Sequence, residues 1–401
     1  MKLRIKNICV LAAVICMASG CSSMTSPPDE AVIVPEETAG DEDSAPTLEP
    51  ATATRHHDYQ ITGIQAALVT DISSVMDHGF NQAALKGIQT YADAACVSYS
   101  CYNTYTDTAE AYRSTILTAI ENDAELIICV GAHFEQAVGS LQNEYKDVSF
   151  LLLDGVPRDA QGNETDIAPN VHCITYREEE AGYLAGYMAV MEGYSRFGFI
   201  GGEEVPGVMQ YGYGYVQGID DAAAIREVSD DIQVDYWYAG TFSPDQQIEE
   251  VAAEWYEAGT EIIFACGGAL YESVLSSAQS CDGMLIGADV DQSNISELFL
   301  TSAVKGIDSS IIVALDNFFA SGRKWPEDMA GKSVSYGANE KCISLPVQDS
   351  AWRFQNVTAE EYLEVLARLK MGEIDISIDS DTRPETTVTV IYHDQQEEKD
   401  S

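Results

Sequence analysis

Residues 64–82 read Ile-Gln-Ala-Ala-Leu-Val-Thr-Asp-Ile-Ser-Ser-Val-Met-Asp-His-Gly-Phe-Asn-Gln, and this stretch decides the fold. A near-continuous apolar run ends at Thr70-Asp71, as a strand buried on both faces requires. A polar loop follows to Gly79. Phe80-Asn81-Gln82 then opens a segment in which Ala84, Leu85, Ile88 and Ala92 recur three and four residues apart, the spacing of an amphipathic helix. The unit is therefore strand, polar loop, helix.

The same unit recurs along the chain. Further strands are expected at 125–130, 149–154, 171–175, 196–200, 232–238, 261–265 and 284–288. Helices are marked by Ile116, Leu117 and Ile120, and by Ala181, Leu184, Ala185 and Met188. Another is marked by Ile248, Val251 and Trp255 behind Pro244, read as a first-turn proline. Strand and helix alternate from 64 to about 170 and again from about 195 to 290. The fold class that follows is α/β, with two doubly wound parallel-sheet lobes. Lobe 1 is expected at about 61–173 plus a segment after 293, and lobe 2 at about 174–292. A helix near 309–321, a strand near 333–345, a helix over 360–369 and a strand over 386–391 are expected without a lobe assignment. In such sheets ligands bind outside the C-terminal strand ends, so two facing lobes share one cleft.

The flanks are of different material. Lys2, Arg4 and Lys6 precede an apolar run from 8 to 17, too short to span a bilayer as a helix. The run ends at Ala18-Ser19-Gly20-Cys21, small residues before a cysteine. Residues 1–20 are thus expected to be a lipoprotein signal peptide. Cys21 would become the lipidated N-terminus, facing the extracellular or periplasmic side of a cell membrane. Ala18 stands where leucine is usual. From 21 to 60, five prolines alternate with Asp29, Glu30, Glu36, Glu37, Asp41, Glu42, Asp43 and Glu49, which predicts a disordered acidic tether. Residues 61–395 are expected to form the two-lobed globular domain and 396–401 a polar tail.

Charge limits the partners. The formal net charge is −44, from 21 basic and 65 acidic residues, and loss of a signal carrying three basic residues takes it to −47. Nucleic acid is excluded as a partner because phosphate binding needs clustered Lys and Arg. A neutral or cationic solute fits best. Of the ten cysteines, Cys129 and Cys266 lie in apolar runs as small core residues. Cys96 and Cys101 are close enough in sequence to pair across a turn. No CxxC or Cys/His spacing suggests a metal, and no cofactor is implied.

In the first loop, Asp71 offers an acceptor, Phe80 a flat apolar face and Asn81 both a donor and an acceptor. The alternative is ordinary loop chemistry, with Asp as a turn residue and Phe as core. The sequence from Asp71 to Gln82 resembles the D-x-G-G-x-D-D-x-S-F-N-Q pattern of the basic-membrane-protein (PnrA-like) family. Asp71, Asp77, Phe80, Asn81 and Gln82 match it. Glu125–Gly131, the strand 150–154 ending in Asp154, Glu180 to Gly186, Gly198 to Gly202, Ile286 to Gln292 and Leu300 to Lys305 resemble further family segments, in order.

The resemblance implies a type I periplasmic-binding-protein-like fold that takes a purine nucleoside in its cleft. Phe80 would stack on the base and Asn81 would read its edge. Asp71 and Asp77 would belong to the same binding loop. Asp289 would accept from the ribose hydroxyls and Lys305 would donate to them. The family's Asp after the second strand aligns best with Gln136. Its G-G-T-G pattern appears as Gly267-Gly268-Ala269-Leu270-Tyr271, so Gly268 would lie in the site, and Tyr271 would supply the second stacking ring unless Leu270 occupies that place. The permease and ATPase of an ABC importer would be separate chains.

Other patterns carry less. Gly198 to Gly202 lacks the spacing and lysine of a phosphate loop and reads as backbone packing. The tyrosines of Gly212-Tyr213-Gly214-Tyr215 line either the cleft or a lobe surface. His78 and His133 are cleft-side loop residues rather than catalysts. Asp289 and Asp291 stand at and just after a strand end, where the alternation that puts residues two apart on one face no longer holds, and they are not read as an acid–base pair. No nucleophile–base arrangement is present, so the chain is not expected to be an enzyme. A surface nucleoside sensor using the same cleft is the main alternative to import, and a nucleoside-processing enzyme a lesser one.

Overall fold

The computed structural model describes residues 65–379 and 382–393. The expected signal, Cys21, the acidic tether and the 396–401 tail lie outside the described residues.

The first half is five strands joined by helices. It runs β1 (Ala66–Thr70), α1 (Phe80–Ala95), β2 (Tyr99–Asn103), α2 (Ala109–Glu121), β3 (Leu126–Val130), α3 (Glu135–Leu141), β4 (Ser149–Leu153) and β5 (Val171–Tyr176). The second continues with α4 (Glu178–Glu192), β6 (Arg196–Gly201), α5 (Pro206–Arg226), β7 (Gln233–Tyr238), α6 (Gln246–Ala258), β8 (Ile262–Cys266), α7 (Tyr271–Cys281), β9 (Met284–Asp289) and β10 (Phe299–Lys305). The chain ends with α8 (Ile307–Ala320), β11 (Lys332–Tyr336), β12 (Ile343–Ser344), α9 (Ala359–Lys370) and β13 (Thr389–Tyr392).

Two sheets result. The first has the order β11-β5-β4-β3-β1-β2 and the second β12-β10-β9-β8-β6-β7-β13. All pairings are parallel except β10 with β12. Every residue of β1, β3, β4 and β8 is buried, which is why these strands read as unbroken apolar runs. Cys129 and Cys266 are buried there, as is Cys173 in β5. Cys96 and Cys101 are exposed and not joined.

The chain passes between the sheets at three places. β5 stays in the first sheet to Tyr176 and β10 in the second to Lys305, so the crossings at Arg177 and Gly306 come later than the expected 173 and 293. The single strand expected near 333–345 is two strands in different sheets, because the chain crosses at Gly337–Lys341 between them. Two strands lacked an apolar-run signature. β2 is a half-exposed edge strand of polar and tyrosine residues. β10 carries Thr301, Ser302 and Lys305 within an otherwise apolar run, yet is buried along most of its length. Pro244 sits outside α6, whose N-cap is Asp245 with its side chain accepting from Gln247 N.

The glycines of α4 and α5 set a close helix crossing. A Cβ on Gly182 would lie 2.0 Å from the Tyr211 carbonyl oxygen, and one on Gly218 would lie 2.1 Å from that of Tyr183. The tyrosines of the Gly212–Gly218 stretch therefore pack into the core rather than on a surface: Tyr213 and Tyr215 are buried, and Tyr211, one residue earlier, reaches the cleft.

Candidate functional site

The C-terminal ends of β1, β3, β4, β8, β9 and β10 meet around one cavity of about 630 Å3, a figure that includes its open mouth. That is within the usual range for a small-molecule site. Asp71, Asp77, Phe80, Asn81, Gly268, Asp289 and Lys305 all line it.

The loop after β1 is built by its own carboxylates. Asp77 is buried; its Oδ1 accepts from the backbone N–H of Gly79 (2.8 Å) and Gln82 (3.1 Å), and its Oδ2 from that of Asn81 (3.1 Å). Burial pushes its pKa up to about 6, with those three N–H groups holding it down. Asp77 thus closes the start of α1, a loop-building duty beside any ligand contact. Asp71 Oδ1 accepts from Ser73 N (2.9 Å) and from Asn81 Nδ2 (2.8 Å). The second bond orients the Asn81 amide and leaves its buried Oδ1 with no partner among the described residues. A buried acceptor without a partner is costly, so Asn81 Oδ1 is poised for a donor on a ligand.

At another wall, Lys305 ends β10 with its side chain 4% exposed. Its Nζ lies 2.5 Å from Asp154 Oδ2, 3.1 Å from Glu178 Oε1 and 3.4 Å from Asp289 Oδ1, and 4.4 Å from the centre of the Phe80 ring. Burial alone would lower the lysine's pKa, but the three carboxylates outweigh it and raise the pKa well above the ordinary value. Burial raises Glu178 well above the carboxylate range and raises Asp289 less, with Lys305 opposing both. Asp154 and Asp289 both occupy the left-handed region, φ +53° and +67°. Aspartate tolerates this better than most residues, and strand-end strain of this kind turns side chains into a site. Asp154 Oδ1 has no partner among the described residues. The Tyr211 hydroxyl donates to the Ala303 carbonyl at 3.1 Å and lies 3.5 Å from Asp289 Oδ1, which braces β10 against α5.

Phe242, in the loop after β7, is a further aromatic ring of the cavity beside Phe80, His133 and Tyr211. It rests on glycines: a Cβ on Gly267 would come within 2.7 Å of its ring and one on Gly202 within 2.3 Å. The Gly201-Gly202 pair therefore serves packing, as expected. His133 completes the wall. Its ring stacks on Tyr112 (5.3 Å, 12°), meets Phe242 edge-on (6.1 Å), and its Nε2 lies 2.9 Å from Glu203 Oε2. Burial lowers the His133 pKa, but the Glu203 bond and charge, with Asp71 and Asp107, raise it overall.

Two expected residues stand elsewhere. Gln136, in the first turn of α3, opens on a separate depression with Glu110 and Arg113. The wall position belongs to Gly131, Ala132 and His133, because the chain turns into a short 3-10 segment before α3 begins. Tyr271 opens α7 but is 3% exposed, its ring 6.0 Å from Phe299 in the core. Leu270 is fully buried as well. Neither lines the cavity, since both pack into the hydrophobic cluster around Phe299. Asp154, Tyr211 and Phe242 line the cavity without having been placed there by the sequence, and Glu178, outside the lining, holds Lys305. Asp154 had a signal, as the last residue of the third expected strand segment. The run Glu178-Glu179-Glu180 reads only as an acidic first helical turn.

Comparison with known proteins agrees with this geometry. A family model described as ABC transporter substrate-binding protein PnrA-like matches residues 64–377. The ABC transporter nucleoside-binding protein BmpA of Lactococcus lactis subsp. cremoris is 24% identical over 326 residues, covering 76% of this chain and 88% of that protein. Basic membrane protein B of Borreliella burgdorferi is 28% identical over 262 residues, covering 64% of this chain and 70% of that one. A crystal structure of an ABC transporter system solute-binding protein from Aeropyrum pernix K1 superposes with a TM-score of 0.62 at 17% identity, covering 78% of this chain and 87% of that one. The shared fold is that of type I periplasmic binding proteins.

Proposed function

The chain belongs to the PnrA-like family of ABC transporter substrate-binding proteins, and from that premise we propose that its cleft captures a purine nucleoside for delivery to an importer. The observation that carries this reading is the pairing of aromatic and charged walls. Phe80 and Phe242 line the same cavity as Asp154, Asp289 and Lys305. A planar base stacks on the rings, a contact worth about 1–3 kcal/mol per base in nucleic-acid complexes. The vicinal ribose hydroxyls donate to Asp289 and accept from Lys305. Asn81 Oδ1 accepts from a donor on the base edge. A phosphate on the ribose would meet the cluster of Asp154, Glu178 and Asp289, where one lysine faces three carboxylates, so nucleotides are rejected.

In this reading residues 1–20 are removed, Cys21 carries the lipid, residues 21–60 tether the domain, and 61–395 bind the solute. Permease and ATPase are separate chains, and lobe closure traps the ligand.

The test is a thermal-shift panel on ligand-stripped protein with purine and pyrimidine nucleosides, bases, nucleotides and sugars. A ligand at 100 times its Kd adds about 2.7 kcal/mol of stability. Stabilisation by inosine, guanosine or adenosine, lost in Asp289→Ala and Phe80→Ala, supports the reading. Response only to another solute class refutes it. Membrane release of a Cys21→Ala chain tests the anchor.

A further inference from the structure

We propose that a second cavity beside the ligand cleft binds an aliphatic ammonium compound, with Glu179 as its principal carboxylate. This cavity shares Asp154 and Gly207 with the ligand cleft and is otherwise separate. It encloses about 1490 Å3 including its mouth, room for an organic molecule rather than a lone ion. Its walls come from the end of β4, the first turn of α4, and the segment after α9.

The charges lining it are unbalanced: seven carboxylates against Arg158, Arg177 and Lys370. Both arginines are already engaged. Arg158 is 2.9 Å from Glu135 and 3.1 Å from Glu164, and Arg177 is 2.9 Å from Glu180 and 3.3 Å from Glu340. Lys305, behind the wall, is spent on Asp154, Glu178 and Asp289. Glu179 has no cation of its own among these ion pairs. It is 4% exposed, and its Oε2 is buried with no partner among the described residues. Burial drives its pKa to about 7, only partly offset by its own backbone N–H and by Arg177. Asp154 Oδ1 is a second buried acceptor without a partner.

Two buried acceptors and surplus negative charge call for a cation with several N–H donors. Among the described residues no group of three or more His, Cys, Asp or Glu is placed to hold a metal ion. Leu369, Ile374 and Ile376 line the same cavity and supply an apolar track for a methylene chain. An alkyl amine or diamine meets both demands: its ammonium donates to Glu179 and Asp154, and its methylenes lie along the isoleucines.

Calorimetry on the full-length chain tests this, with putrescine and spermidine as probes and 1,4-butanediol as the uncharged control. Wild type is expected to bind the amines and not the diol. Glu179→Gln keeps the shape and removes the charge, and is expected to weaken amine binding by about tenfold or more, the scale of one lost charge-assisted hydrogen bond. A cooperative melt and an unchanged response to nucleosides show that the fold and the main cleft survive. Ile376→Arg, half-buried on the same wall, puts a guanidinium into the cavity and is expected to block the amines as well. The proposal is overturned if neither amine binds wild type, or if both variants bind amines as wild type does.

Discussion

Replacing Lys305 with methionine keeps the length of the side chain and removes the one cation held by Asp154, Glu178 and Asp289. Removing one partner of a buried ion pair costs about 3–5 kcal/mol, because the charge left behind is buried without compensation. Unfolding entropy of about 2 cal/mol/K per residue, over about 330 described residues, converts this into a Tm lowered by about 4–7 °C at pH 7. The pH dependence identifies the cause. Glu178 and Asp289 are raised above their ordinary values even with the lysine present, and its loss raises them further. An acid with a raised folded pKa costs nothing below its unfolded pKa, where both states hold the proton, and its cost grows as the pH rises toward the folded value. The gap between wild type and Lys305→Met is therefore largest near neutrality and closes as the pH falls toward 4. Melts of ligand-free protein across that range measure it directly. A gap that stays the same at every pH would refute the electrostatic account and leave only lost packing. No gap at all would mean that the cluster is solvated rather than buried.

Three further outcomes follow from the same geometry. Phe242→Ala is expected to weaken purine nucleoside binding by about 1–3 kcal/mol; equal affinity in calorimetry would place the base away from that ring. The His133–Glu203 pair joins loops that follow β3 and β6, so it ties the two sheets' strand ends together. Its histidine has a raised pKa, so its contribution is fully present below 6.5 and lost as the pH rises through the folded value. The Tm advantage of wild type over Glu203→Gln should therefore appear at mildly acid pH and vanish at alkaline pH. Gly182→Ala puts a methyl group where the Tyr211 carbonyl lies 2.0 Å away, forcing α4 and α5 apart. Overpacking of this kind costs about 1–3 kcal/mol, and because Tyr211 braces Asp289, nucleoside affinity should fall along with Tm.

The elements legible in the sequence are those with buried strands on both faces. β1, β3, β4 and β8 are central, so burial forced unbroken apolar runs and made them visible. β2 is an edge strand with half its residues solvated, and its Tyr-Ser-Cys-Tyr-Asn sequence carries no periodic signal. The stretch around 333–345 misled for another reason. Local propensity says that a segment is extended, but not that the chain changes sheet within it, and the crossing at Gly337–Lys341 is fixed only by the positions of β5 and β10.

The site divides in the same way. Asp71, Asp77, Phe80, Asn81, Asp289 and Lys305 sit at strand ends or just after them, where topology alone puts ligand contacts, and strand ends can be read from apolar runs. Phe242 lies in a loop whose residues look like any turn, and only the glycine floor of Gly202, Gly267 and Gly268, brought together by parallel neighbours β6 and β8, turns its ring into the cavity. Tyr271 failed as its substitute because sequence proximity to Gly268 says nothing of which face of α7 a residue occupies; the helix begins at Tyr271 itself and turns the ring toward Phe299. Glu178 shows the same limit in electrostatic form. Three glutamates opening a helix satisfy its dipole wherever they lie, yet here the first is held by Lys305 from 127 residues away, the second is left without a partner at Oε2, and the third is bound by Arg177 and the Ala338 N–H. Identical neighbours thus acquire different partners and different duties from contacts that only the folded chain supplies.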